Sequence, residues 1–505
     1  MSKLLRDSFN PMTISLCSTS FPSRTMVATA LAAAVLATGC ASGPDYHAPM
    51  TPDTAVGLFV SRIAASDTRI AAADTRIAAA DTNAPMPVDW WKLYENPTLN
   101  SLVQDALSAN TSLRMAQANL ARARAIFGEA RSGLFPSTTA SAGASYGRDQ
   151  TSWTGSGQAP KQWSYSGGLD ISYEVDIFGR VQRDIEAAHY DTDAVAAAFD
   201  ATRVVVVAET TRAYVDACTL GEAIEVADSS IALAQRSLGI IVSQERAGSG
   251  SHLDVERAGV ILAQAQAALP ALQGQREFAL FELAALTGRT PAQVPDAARA
   301  CTKAPEIVSA LPVGDGSALL RRRPDVRQAE RRLAADTARI GVAVADLYPK
   351  VSLGASANYL RNDFLKGDRT FSFALGPLIS WSFPNVMVAR SRVEQAKAQT
   401  AASLASFDGT VLNALKESEQ SLSTYGSALL QRNALIEART RAENAFRLAD
   451  QRFRSGSISY LDVIVAQTSF INARSQVAAA DQRVGSARVS VFKALGGGWE
   501  GEDVQ

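Results

Sequence analysis

The sequence predicts a mainly α-helical protein with a transmembrane β part, on three observations. Two stretches of about seventy residues, roughly 177–247 and 385–455, are rich in Ala, Arg, Glu and Gln with few Gly or Pro. Four short runs alternate apolar with polar residues. The whole pattern then occurs twice along the chain, a two-fold internal repeat.

The repeat is read from two anchors. Gly248-Ser-Gly-Ser-His-Leu-Asp254-Val matches Gly456-Ser-Ile-Ser-Tyr-Leu-Asp462-Val, offset by 208 residues, and Leu134-Phe-Pro136 matches Leu347-Tyr-Pro349, offset by 213. Units of that length mean duplicated architecture rather than a solenoid. Each unit, 90–316 and 317–499, begins with a helical stretch (98–133 or 317–347) that is closed off by Pro136 or Pro349. Two strand runs follow, about 137–147 and 163–176 in the first unit, 350–360 and 371–383 in the second. Next comes the long helix; seventy helical residues would extend about 105 Å. A Gly/Ser-rich turn, about 248–254 or 456–462, reverses the chain into a returning helix over 253–287 or 461–495. Residues 288–316 read as an irregular connector, and 500–505 as a tail.

In the strands, Trp163, Tyr165, Leu169, Ile171, Tyr173 and Val175 alternate with Ser164, Ser166, Asp170, Ser172, Glu174 and Asp176. Phe371, Phe373, Leu375, Ile379, Trp381 and Phe383 form a similar set, with Pro377 fitting only at a bulge or an edge. Tilted membrane strands need about 9–11 residues and carry aromatics near their ends. A soluble sandwich face would show the same period. If these strands lie in lipid, an open edge would leave unpaired amides costing several kcal/mol each. Closed membrane barrels start at about eight strands. Four strands per chain must therefore share a barrel with other chains, and long helices hanging from it would pack into a tube.

Composition narrows the function. Among 505 residues, 49 Lys+Arg face 50 Asp+Glu, so no basic surplus exists to hold nucleic acid. Only three histidines occur (His47, His189 and His252), far apart. There is no P-loop, G-x-G-x-x-G, H-E-x-x-H or C-x-x-C, and Ser251 beside His252 lacks a nucleophile elbow's strand–turn–helix context. The chain is expected not to be an enzyme, with no cofactor and no metal.

At the N-terminus, Arg24 precedes an apolar run over 26–37, the length of a signal-peptide core and too short to span a bilayer. It ends in Leu36-Ala-Thr-Gly-Cys40, like a lipobox, although Ala37 stands where a large aliphatic residue is usual. Residues 1–39 are thus expected to be removed and Cys40 to carry covalent lipid, with 40–89 as an acylated linker. Within it, 62–82 is three near-identical heptads, an expanded linker or a weak coiled-coil seam.

Several stretches together resemble the TolC-type outer membrane factors, specifically the lipoprotein subgroup of RND efflux systems (the NodT/OprM-like group). They are Gly39-Cys-Ala-Ser-Gly-Pro-Asp-Tyr46, Trp90-Trp-Lys-Leu-Tyr94, Leu320-Arg-Arg-Arg-Pro-Asp-Val326, Ile340-Gly-Val-Ala343 and Lys493-Ala-Leu-Gly-Gly-Gly-Trp499. The resemblance implies a homotrimer with a twelve-stranded barrel in the outer membrane lipid, a periplasmic helical tunnel and an equatorial domain. It also implies two partners, a periplasmic adaptor (membrane fusion) protein and an inner-membrane RND transporter, for which this chain is the passive exit duct for small amphiphilic compounds. A duct for type I protein secretion uses the same architecture; a non-conducting coiled-coil lipoprotein is argued against by the strand aromatics.

The resemblance also places the two reversals at periplasmic tips, with Gly248, Gly456 and Ser457 at the adaptor contact. Asp462 matches an acid that rings the constricted tunnel end, while the family's second acid is Val465 here, a Tyr is Phe453 and an Arg is Ile458. Such a constriction could close by dewetting. Asp254 and Asp462 each follow a Gly/Ser turn, so N-capping of the returning helix is the plain alternative. Once Cys17 leaves with the leader, Cys218 and Cys301 remain, an even pair in an oxidising compartment, and a disulfide between them is expected.

Overall fold

The computed structural model describes residues 42–50, 59–60, 80–81, 86–148, 155–307, 311–381 and 386–499. The leader, Cys40 and nearly all of the heptad segment lie outside the described residues. In chain order the elements are β1 (Ala80–Asp81), α1 (Pro97–Ala109), α2 (Thr111–Ser132), β2 (Ser137–Gly147), β3 (Gln162–Val175), α3 (Arg180–Arg246), α4 (His252–Leu286), α5 (Asp296–Arg299) and β4 (Leu311–Pro312). The second repeat supplies α6 (Gly316–Arg322), α7 (Pro324–Ala345), β5 (Lys350–Arg361), β6 (Phe371–Ser380), α8 (Val386–Arg454) and α9 (Tyr460–Ala494). Two compact units result, and each draws on both repeats: a sheet unit from Leu134–Arg183 and Gly341–Ala389, and a helical unit from most of the rest.

Three expectations change in detail. The helical stretches over 98–133 and 317–347 are each two helices, broken at Asn110 and Arg323, which stand at the same 213-residue offset. Asn110 is extended (φ −60°, ψ 130°) because its side chain caps α2, accepting from Ser112 N and Leu113 N at 2.9 and 3.2 Å. Arg323 is extended (φ −69°, ψ 119°) because Pro324 follows it and disfavours the helical region for the residue before it. The connector 288–316 is less irregular than expected: it holds α5 and β4, and β4 pairs in parallel with β1. The last strand stops at Ser380, leaving Trp381 outside it.

The sheet unit is wholly antiparallel in the order β2-β3-β5-β6. Its register puts the apolar sets of all four strands opposite one another. Ala140 faces Leu169, Leu169 faces Ala357 and Ala357 faces Phe373; Ile171 faces Ala355, and Ala355 faces Leu375. Ser141, Gly168 and Asn358 align in the same way on the other face, as do Thr139, Asp170 and Ser356. One face is therefore apolar and the other small and polar. The apolar face is bare within the chain: Phe373 is 78% and Leu375 81% exposed. Pro377 lies in β6, an edge strand of this sheet, where a missing N–H is tolerated.

The helical unit has its main core around Trp90, which is fully buried and stacks on Phe492 with ring centroids 4.4 Å apart. Gly497 is held against that indole so closely that a Cβ would come within 2.8 Å of it. Leu99, Val103, Tyr425 and Leu495 complete this core.

Candidate functional site: the hairpin tips and their supports

Both long helices end in the same Schellman motif. Ser249 N–H donates to Gln244 O and Gly248 N–H to Glu245 O, each at 2.9 Å; Ser457 to Arg452 O and Gly456 to Phe453 O repeat the pair, again at 2.9 Å. Gly248 and Gly456 both adopt φ +74°, and a Cβ on either would meet nothing within 4 Å. Glycine is needed there for its left-handed backbone and not for space.

The returning helices start one residue earlier than expected, at His252 and Tyr460, and this corrects the capping assignment. Ser251 is the cap of α4, its hydroxyl accepting from Leu253 N at 3.2 Å, and Asp254 stands in the first turn, paired with Arg257 at 3.3 Å. Ser459 occupies the cap of α9, and Asp462 reaches back so that its carboxylate accepts from Ser459 N–H at 3.1 Å and from the Ser459 hydroxyl at 3.0 Å. Both aspartates stand at the third position of the first turn behind a serine cap, and only Asp462 bonds back to its cap. The signal was present in Ser251-His-Leu-Asp254 and Ser459-Tyr-Leu-Asp462, an acid three residues after a serine ahead of an apolar run.

Asp462 and Val465 both face solvent in the single chain, Val465 at 58% exposure. Phe453 and Ile458 pack instead into an apolar cluster with Ile241, Ile261, Tyr460 and Val463, the Phe453 and Tyr460 rings 5.3 Å apart. His252, far from any nucleophilic role, lies 2.8 Å from Glu245 and 3.6 Å from Glu256. An open groove of about 590 Å³ runs beside the first tip, lined by Arg236, Gly239, Ser243, Ala247 and Ser249.

Higher in the helical unit, Cys218 and Cys301 are joined as a disulfide with Cα atoms 4.9 Å apart. Two further fastenings surround it. Arg276 donates to Ala217 O at 3.2 Å, Arg299 O at 2.5 Å and Cys301 O at 2.9 Å, and a Cβ at Gly221 would sit only 2.5 Å from Cys301 O. The arginine run has a separate task. Arg322 and Arg323 donate to Leu495 O and Ala494 O, both at 2.8 Å, closing the C-terminus of α9 where cations are favoured. Arg323 also binds Asp325 at 2.6 Å and Glu417 at 2.8 Å, while burial lowers the Arg322 pKa to about 10.

Near the sheet, Ser42 donates from its N–H (3.2 Å) and hydroxyl (2.5 Å) to Phe178 O, and Arg183 Nε donates to Ser42 O at 3.2 Å. Gly341 makes room for this, since a Cβ there would lie 2.7 Å from Ser42 O. The chain two residues after Cys40 is thus pinned at the strand ends.

A sheet with one apolar and one polar face, two open edges and two hairpins of very long helices is the protomer of an outer-membrane channel. No helix among the described residues is long and apolar enough to cross a membrane. The chain belongs to the outer membrane efflux protein family, which it matches over residues 102–289 and 316–497. It is 30% identical over 426 residues to the solvent efflux pump outer membrane protein SrpC of Pseudomonas putida, covering 81% of this chain and 87% of that one. It is 29% identical over 486 residues to the outer membrane protein OprJ of Pseudomonas aeruginosa, covering 93% and 95%. Among solved structures, the outer-membrane channel OprN is similar with a TM-score of 0.80 and 33% identity, over 91% of this chain and all of that one.

Proposed function

We propose that three copies of this chain form the outer-membrane exit duct of a tripartite efflux pump, passing small amphiphilic compounds without catalysis. The observation that carries the reading is the sheet: its two edges are open and its apolar face bare. Twelve strands from three chains would close those edges, with the apolar face to lipid and the Ser, Gly and Asn face to water. The periplasmic adaptor would meet the tips at Gly248, Gly456 and Ser457, where the groove beside Ser249 offers a surface, and an inner-membrane RND transporter would load the duct. Relatives named for solvent and toluene efflux support small, apolar organic compounds among the cargo. Cys40 would be lipidated; Ser42, held to Phe178, would then keep the acyl chains beside the strand ends.

Purified protein reconstituted in planar bilayers should give discrete conductance steps, and native mass spectrometry should give a mass of three chains. A stable monomer without steps would refute the reading. Labelled palmitate should enter the wild type and not Cys40→Ser.

A further inference from the structure

Each strand of the sheet carries an aromatic residue toward its hairpin loop, and two residues further out a cation follows. The pairs are Tyr146 with Arg148, Trp163 with Lys161, Tyr359 with Arg361, and Phe371 with Arg369. A two-residue step keeps side chains on one face of an extended chain. Within β5, Arg361 indeed stands opposite Tyr165 on the apolar face. Arg148 and Lys161 lie one residue beyond their strands; Arg369 is in the 3-10 turn Gly367–Thr370 ahead of β6, where the two-residue rule does not hold and only its place next to the strand end sets its level. All four cations are exposed. Arg148 bonds only the neutral Gln158, and among the described residues none of the four forms an ion pair. At the other end of the same sheet the cations are matched: Arg180 pairs with Glu174 at 2.6 Å and Lys350 with Asp346 at 3.4 Å.

We propose that these four residues form a basic collar that binds the phosphates of lipopolysaccharide, the phosphorylated glycolipid of the outer leaflet. The inference rests on reading the sheet as barrel strands, which puts the hairpin loops on the outer side. The aromatic row fits the level of an interfacial girdle, so a row of cations one step beyond reaches the head groups. Unpaired cations at that depth favour anionic lipid over neutral lipid. Three of the four are Arg, whose planar fork matches phosphate oxygens two at a time. In a trimer the collar would be repeated three times around the barrel.

Full-length protein assembled in detergent is titrated with lipopolysaccharide, with the same glycolipid stripped of its lipid A phosphates, and with phosphatidylglycerol. Bound lipid is counted by native mass spectrometry, and conductance is measured in parallel. The phosphorylated glycolipid should bind at least tenfold more tightly than either comparator, with affinity falling as salt rises. The variant R148Q/K161Q/R361Q/R369Q should lose that preference, and R148Q or R369Q alone, both outside the strands, should weaken binding at least twofold. A conducting channel that binds the three lipids alike, or a conducting quadruple variant with its preference intact, overturns the collar and leaves the duct standing. A wild-type protein that never conducts overturns both.

Discussion

Asp462 combines a structural contact with an exposed charge, and the two separate on substitution. Its carboxylate accepts from Ser459, yet the side chain remains open to solvent at the tip. Three such residues around a narrow end would draw cations, as acidic rings do elsewhere. Asp462→Asn keeps an acceptor for Ser459 and removes the charge, so cation-over-anion selectivity from reversal potentials should fall while the helix persists. Unchanged selectivity in an assembled mutant would restrict Asp462 to its contact with Ser459. A second carboxylate has a different fate. Burial raises the Asp216 pKa, partly countered by Ser486, whose hydroxyl donates to it at 2.8 Å. A carboxyl with a raised folded pKa contributes most stability below its unfolded pKa of about 3.9, and loses it as pH rises through the folded value. Asp216→Asn should therefore raise the thermal midpoint at pH 7 relative to wild type, and the gain should vanish near pH 3. None of this was legible in sequence, where Asp216 was one of many helical carboxylates. The tip acids are legible as positions, but either the serine or the acid three residues after it can cap a helix, and only the backbone of Ser251 and Ser459 decides for the serines.

At the scale of elements, the turns and the clasp are open to test. Gly456 has space for a side chain and an unfavourable backbone for one, so Gly456→Asn should be tolerated better than Gly456→Val. A left-handed backbone costs an ordinary L-residue about 1–2 kcal/mol. Thermal melting of the two variants should show that order; equal midpoints would mean the turn rearranges. The Cys218–Cys301 bond closes a loop of 83 residues, and removing a disulfide typically costs about 2–4 kcal/mol. Thiol counting on the denatured, unreduced chain should find neither cysteine free, and Cys301→Ser should melt lower than the wild type in oxidised buffer, with the difference vanishing once both are reduced. Strand and helix types were readable because period 2 and long Gly-poor stretches persist over many residues. The breaks at Asn110 and Arg323 were harder: Asn110 breaks a periodic stretch with its side chain alone, and Pro324 could equally have begun a single helix. Nothing in the local sequence announced that Leu311–Pro312 would pair with Ala80–Asp81, because a two-residue bridge between distant segments leaves no periodicity.

For the whole molecule, the oligomer follows from what one chain leaves open. Cysteines placed at β2 and β6, the two edges, should cross-link between chains into species of two and three chains and no longer ladder; an open-ended ladder would mean the edges never close. The repeat made this architecture readable, since duplicated strands count four and four cannot close. The site unit was less readable, because both compact units interleave the repeats and their borders follow contacts across hundreds of residues. The stack of Trp90 on Phe492, with Gly497 pressed against the same indole, has a consequence in time. These partners are about 400 residues apart, so the main core of the helical unit stays incomplete until nearly the last described residue has been synthesised and delivered. Non-local pairing of this kind slows folding. A ribosome-bound or translocating chain would therefore stay unfolded during export, and a chain truncated before Phe492 would reach the periplasm with Trp90 bare, as a substrate for proteases.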